Sequence, residues 1–315
     1  MLSKQPKKIY RYLRFSAMTI NSLCQDQLHF ADPLSFNDPL DCQPIIEIDS
    51  NVETMRHVLS ELIGRRVTAK ALTSLEHAKL DGEKAILHAK NLGRQASSSE
   101  LSHIAYQSTN PEYDINAPEA EGYLLAIEIQ TELKMQYDRG VCCFSATAAN
   151  PLLWSHYGDQ HCGLCIGYGL DREPRPKLHK VIYGGSRTIK TSLVAKALLE
   201  NDLKAQELLD RDVLLRKASP WRYEREWRLI GDKGVQDSTL ALEEVIFGLR
   251  CPVAVMHAII TALDSREENV KFYKMVENRE SFKLTRRHVD IEEMDYLPRT
   301  AKSGIEMFGH INVSD

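Results

Sequence analysis

Beyond residue 138 strand-like runs follow one another closely, and that crowding constrains the fold more than any other feature of the chain. RGVCCFSAT is a short apolar run opened by Gly140. CGLCIGYGL is apolar and punctuated by glycine, with the length of a buried strand. HKVIYGG, WRYEREWRLI and ALEEVIFGLRC follow, then CPVAVMHAIITAL reads as a helix and SFKLTRRHVDI as a last strand. Near the start, KKIYRYLRF interleaves aromatic and apolar residues with arginine, a strand signature. Strands outnumber what a regular βαβ alternation supplies, so the predicted fold class is α+β with a largely antiparallel sheet.

The remaining segments divide the chain. Residues 18–30 read as a short helix, and PLSFNDPLDCQP as a fixed turn in which proline presets φ and Asn/Asp bond nearby backbone. Residues 52–93 show helical spacing with charged faces, 95–119 read as a polar loop with a short helix, and 119–136 return to helix. NPLLWSHYG starts a short helix, and 190–217 reads as one long amphipathic helix striped by Leu193, Ala197, Leu198, Leu203, Leu208, Leu209 and Leu214. The expected organisation is a sheet core from residues 1–50 and 138–250, a helical insertion or cap at 51–137, and a C-terminal helix and strand at 251–315 completing the same domain.

A chain of 315 residues, 43% apolar, can bury a sizeable core. Its 40 Lys+Arg against 44 Asp+Glu give no global sign of nucleic-acid binding. Residues 171–230 hold 14 Lys+Arg and 9 Asp+Glu, a surplus of 14 − 9 = 5. That surplus suits a phosphate or nucleic-acid partner, and equally a solvated helical face. MLSKQPKKIYRYLRF has no apolar run behind its basic start, and no stretch of eighteen apolar residues exists, so a cytoplasmic chain without a membrane partner is expected. The seven cysteines, an odd count, are expected as reduced thiols.

Several chemistries find no motif: there is no P-loop, no G-x-G-x-x-G after a strand, no H-E-x-x-H and no G-x-S-x-G. HCGLC offers Cys162 and Cys165, with Cys142 and Cys143 upstream. On strands each pair differs in parity, so four ligands do not converge and no metal is expected. FNDPLD offers Asp38 and Asp41, which with Glu224 and Glu226 make one rival reading, a magnesium-dependent nuclease. In LLWSHYGDQH, Ser155 and His156 are neighbours whose side chains diverge, so no hydrolase triad is read there. Tyr157 suits a ring stacked on a ligand, or a core aromatic.

WRYEREWRLI, read as a strand, puts Trp221, Tyr223, Arg225, Trp227 and Leu229 on one face and Glu224, Glu226 and Arg228 on the other. The two carboxylates then stand ~7 Å apart. This is either a salt-bridged surface, with Arg11 and Arg228 as partners, or half of an active site.

IYRYLRF with FNDPLD, then FSATAANPLLWSHYGDQHCGLCIGY, then WRYEREWR together resemble a widespread bacterial family of unknown function, whose members often look like accessory or defence-associated cytosolic proteins. The chain also resembles, more remotely, the mono-ADP-ribosyltransferases. IYRY looks like their early Arg motif, with Arg11 and Tyr10; GVCCFSAT like their Ser-Thr-Ser motif, with Ser145 and Thr147 and with Ala146 where that motif has Thr; YEREW like their Glu-x-Glu motif, with Glu224 and Glu226. Tyr157, with its neighbours Trp154 and His156, falls where some of these enzymes have a stacking tyrosine.

That second resemblance implies a split sheet and an enzyme that cleaves NAD as substrate, passing ADP-ribose to a protein, a nucleic acid or water. Glu226 would face the oxocarbenium-like state, Glu224 would orient or deprotonate the acceptor, Arg11 would pair with pyrophosphate, and Ser145 would hold the glutamate or the ribose. A non-catalytic nucleotide-sensing or interaction module of a defence or toxin system is the other rival reading.

Overall fold

The computed structural model describes residues 5–137, 139–291 and 301–308. The first part of the chain forms β1 (Lys8–Leu13), α1 (Ala17–Cys24), β2 (Gln27–Phe30), β3 (Ile45–Glu47), α2 (Val52–His77), α3 (Glu83–Gln107) and α4 (Ala117–Gln136). Next come β4 (Gly140–Ser145), α5 (Pro151–His156), β5 (Leu164–Gly169), β6 (His179–Lys180), β7 (Ile182–Tyr183), β8 (Thr188–Lys190), α6 (Thr191–Leu198), α7 (Leu203–Leu214) and β9 (Arg216–Lys217). The last part supplies β10 (Glu226–Gly231), β11 (Gly234–Asp237), β12 (Ala241–Phe247), α8 (Val253–Leu263), β13 (Lys271–Glu277) and β14 (Leu284–His288).

Eight strands make one sheet in the order β14-β13-β12-β5-β1-β4-β10-β6. Only β12 and β13 run parallel, and α8 supplies the crossover that a parallel pair needs. Every other pairing in that sheet is antiparallel, so the fold is α+β as the density of strands implied. β1 pairs with β5 from Lys8↔Gly169 to Leu13↔Leu164, and β4 pairs with β10 from Ser145↔Glu226 to Gly140↔Gly231. Between β1 and β4 there is a single register pair, Tyr10↔Ser145. The sheet therefore parts along this line.

One apolar core covers the face carrying Ile9, Phe144, Ile166 and Leu229, closed by Met256, Ile259 and Ile260 of α8. A second core joins Met55, Leu59, Leu125 and Ile129 of the helices after residue 51 to Val194 of α6 and Leu209 and Val213 of α7. The insertion expected at 51–137 thus shares its core with α6 and α7. Of the expected C-terminal segment, α8 and β14 are described, and residues 292–300 and 309–315 lie outside the described residues.

Three local expectations are corrected. Residues 95–107 continue α3 rather than forming a loop, because Ser97 buries its hydroxyl by donating to Ser60 O and Gly93 O, each at 2.9 Å. Gly93 lets α3 approach α2 closely, since a Cβ there would sit 2.7 Å from Gly64 O. Residues 190–217 are two helices and a short strand: Asn201 takes a left-handed φ of 53°, and Asp202 caps α7 by accepting from Lys204 N and Ala205 N. Finally, 219–224 is a 3₁₀ turn with Pro220 in its first positions, Arg225 is left-handed at φ 49°, and the strand begins only at Glu226.

Candidate active site

Where β1 and β4 part, a cleft of about 450 Å³ opens. Tyr10, Arg11, Tyr12 and Leu13 form one wall, and Val141, Cys143, Phe144 and Ser145 the other. Asn37 and Asp41 of the FNDPLD turn, His156 and Tyr157 after α5, and Lys217, Glu224 and Glu226 complete the lining. The turn that ends at Glu224 and the strand that starts at Glu226 bring both carboxylates to this cleft, although the segment is not one strand.

The charges form a closed cluster. Lys217 Nζ lies 2.5 Å from Glu224 Oε2, 2.9 Å from Glu226 Oε2 and 3.5 Å from Asp41 Oδ2. Arg228 donates from Nε to Glu226 Oε1 at 2.8 Å, from Nη2 to Asp41 Oδ2 at 2.6 Å and from Nη1 to Leu214 O at 2.7 Å. Tyr157 OH donates to Glu224 Oε1 at 2.8 Å, and Asn37 Nδ2 donates to Tyr157 OH at 3.3 Å. All five charged side chains are buried, Arg228 wholly so. Buried charge is tolerated only when paired and hydrogen-bonded, and this set meets that condition.

Their titration differs with their partners. Burial raises the carboxyl of Glu224 above the usual carboxylate range, against the opposing pull of Lys217. Burial also works against ionisation of Glu226, but Arg228 and Lys217 outweigh it and hold that carboxyl below the usual range. For Lys217 burial disfavours the charge, and Glu226, Glu224 and Asp41 outweigh it, so its pKa is raised. Two glutamates two positions apart are thus driven in opposite directions.

The remaining candidates fall into four groups. Arg11 lines the cleft but pairs with neither glutamate; its Nη2 donates to His29 O at 2.9 Å. Ser145 donates to Glu224 O at 2.6 Å and accepts from Thr147 N at 3.1 Å, so it fixes the backbone that aims Glu224 rather than the carboxylate itself. Tyr10, His156 and Tyr157 line the cleft. Trp154 and Thr147 do not. Trp154 is wholly buried, donates from Nε1 to Ala148 O at 2.8 Å and packs edge-on against Tyr12, so it supports the cleft from behind. Thr147 offers its carbonyl to Tyr12 OH at 2.9 Å.

Asp38 stands apart from Asp41, accepting from Leu40 N at 2.9 Å within its own turn. The reading of Arg228 as a solvated partner is corrected: it does pair with Glu226, but beneath the surface. Part of the basic surplus of 171–230 is answered by carboxylates from outside the segment, Asp26 on Arg172 and Asp41 on Lys217 and Arg228. Lys217 is the residue that sequence reasoning missed. A lone lysine before SPWRYE carries no signal of its own.

A family model matches part of this site. It is described as a protein of unknown function (DUF2971), and it spans residues 153–229. The matched stretch runs from α5 into β10 and contains Tyr157, Lys217, Glu224, Glu226 and Arg228. It stops short of β1 and β4, which supply the facing walls. No curated protein and no solved structure matches the chain. Among the described residues no helix is long and apolar enough to cross a membrane.

Proposed function

We propose that the cleft cleaves the nicotinamide–ribose bond of NAD and passes the ADP-ribosyl group to an acceptor or to water. The observation that carries this reading is the charge cluster in the parting of the sheet. Three carboxylates answered by two cations leave one negative charge when all are ionised, and it faces a cavity of the size that small ligands occupy. A fixed anion in a water-poor wall stabilises the positive charge as it passes from the nicotinamide nitrogen onto the ribose in an oxocarbenium-like state.

The roles follow from the titration. Glu226, kept ionised, suits the face of the developing cation. Glu224, raised and bonded by Tyr157, suits proton transfer with the acceptor. Nicotinamide leaves with the electron pair of the broken C–N bond, the acceptor oxygen forms the new bond to the ribose carbon, and its proton passes to Glu224. Arg11 is given no pyrophosphate role, because it shares the Ile9 face of β1 and donates to His29 O, whereas Glu226 stands on the face of Tyr10 and Ser145.

The rival magnesium-dependent nuclease gains no support from the geometry, because the Lys217 ammonium holds the point where the carboxylates meet. The test is a thermal-shift titration with NAD run beside an assay for free nicotinamide. A shift with release supports the reaction. A shift without release under added protein, nucleic acid and water acceptors makes the cleft a binding module. No shift at millimolar NAD overturns the proposal.

A further inference from the structure

At the mouth of the cleft, His156 packs against two rings that stand just outside the lining, Trp221 and Tyr223. His156 is exposed and lines the cavity. Its ring centroid lies 6.2 Å from that of Trp221 and 6.4 Å from that of Tyr223, and those two are 6.0 Å apart. Trp221 and Tyr223 are half-buried, and Lys217 Nζ stands 5.2 Å from the Trp221 ring centre, so the tryptophan is anchored from the interior. Trp221 belongs to none of the three apolar cores formed by the described residues. Arg222 and Arg225 are exposed on the same turn, and among the described residues neither meets a carboxylate.

Half-exposed rings are costly to leave in water, and arginines without an acidic partner are ready for an anion. A nucleotide answers both, because its base offers a π face and its phosphates accept from guanidinium groups. We infer that His156, Trp221 and Tyr223 form a stacking subsite for the purine base of a nucleotide whose phosphates are met by the exposed guanidinium groups of Arg222 and Arg225. The inference rests on reading the cleft as an NAD site: with the nicotinamide ribose at Glu224 and Glu226, the adenine is left for the rim. The ring planes are tilted at 65°, 33° and 40° to one another, so the cluster offers a single ring face to one base and not a row of faces to a strand.

The experiment is a calorimetric titration of the full chain with AMP, ribose 5-phosphate, nicotinamide mononucleotide and a single-stranded oligonucleotide, with nicotinamide release from NAD followed in parallel. AMP is expected to bind at least about ten-fold tighter than ribose 5-phosphate, the range that stacking of one base supplies. His156→Ala, an exposed substitution that the fold tolerates, is expected to weaken AMP about five- to ten-fold and to leave nicotinamide mononucleotide within about two-fold. Trp221→Leu is expected to give a larger loss in the same sense. Equal binding of AMP and ribose 5-phosphate overturns the subsite, as does an equal loss of both mononucleotides in His156→Ala. An oligonucleotide that binds about a hundred-fold tighter than AMP overturns it in favour of a nucleic-acid strand. Nicotinamide release without AMP binding defeats this inference and leaves the NAD reading standing, whereas AMP binding without release does the reverse.

Discussion

Arg228 and Asp41 are 187 positions apart in the chain and meet at 2.6 Å, Nη2 to Oδ2, with both side chains buried. The contact ties the FNDPLD turn to β10 and gives the cleft its floor. Phe36 lies against it, its ring centre 5.6 Å from the guanidinium carbon. Arg228→Met would leave Asp41 and Glu226 buried with part of their charge unanswered. A loss of about 3–5 kcal/mol is expected, read from urea midpoints at unchanged slope. A loss below about 1 kcal/mol would mean that water reaches the pair.

Glu226→Gln removes the anion assigned to the cationic state. Nicotinamide release is expected to fall by about 10²–10³-fold, the scale set by removing one preorganised electrostatic group. The variant is also expected to melt earlier, because Arg228 and Lys217 each lose a charged partner. Circular dichroism at assay temperature separates the two effects, and full activity in a folded Glu226→Gln protein would falsify the assignment.

Lys217 contributes to the alkaline loss of stability, beside Tyr12, Tyr137, Tyr157, Tyr168 and Tyr183, whose hydroxyls burial also pushes up. Its folded pKa lies above the ordinary lysine value of 10.5, so its contribution is fully present below that value and is lost as pH rises through the folded pKa. Glu226 works at the other end: its folded pKa lies below the ordinary 4.5, so its contribution is present above that value and is lost as pH falls through the folded pKa. Glu224, shifted upward, partly offsets this on the acid side. In melting temperatures from pH 8 to 11.5, Lys217→Met should show a lower plateau and a flatter alkaline fall. An unchanged alkaline limb in that variant would remove Lys217 from the account.

Tyr157 stabilises the ionised form of Glu224 by donating to it. Tyr157→Phe is therefore expected to raise the Glu224 pKa further and to move the acidic limb of the nicotinamide-release profile to higher pH. The accompanying loss of stability should be about 1 kcal/mol, the worth of one hydrogen bond. A limb that stays put or moves down shows that Glu224 is not the titrating group.

The helical layer offers a test independent of chemistry. A Cβ on Gly93 would meet Thr68 Oγ1 at 2.6 Å and Gly64 O at 2.7 Å, and the second of these is backbone that cannot swing away. Gly93→Ala is expected to destabilise the chain by about 1–3 kcal/mol, as overpacking does. A midpoint at or above that of the parent protein in urea would show that α2 and α3 are not in close contact.

Much of the fold was legible because strand and turn signals are local. Alternation in KKIYRYLRF, glycine in CGLCIGYGL and β-branched runs in ALEEVIFGLRC each mark a strand without reference to the rest of the chain, and all three are found in the sheet. The period of two also placed Glu226 and Arg228 on one side of β10, where their side chains meet at 2.8 Å. It failed at Glu224, because Pro220 opens a 3₁₀ turn and left-handed Arg225 ends it, so alternation does not begin until Glu226. Polar composition misled separately at 95–119, read as a loop with a short helix, where α3 continues to Gln107 because Ser97 finds a backbone partner in Ser60 O.

The sequence by itself determined that the chain would build a largely antiparallel sheet, and which short stretches carried aromatic, carboxylate and hydroxyl side chains worth examining. Tertiary structure alone decided that Asp41, Glu224 and Glu226 gather around Lys217, that Arg228 lies wholly buried beneath them, and that Trp154 and Thr147 stand outside the cleft. The reason is physical. Strand propensity is a property of a few neighbouring residues, whereas the free energy of a buried charge depends on which distant segments reach it. Nothing in a linear string marks a lysine that will be enclosed by three carboxylates.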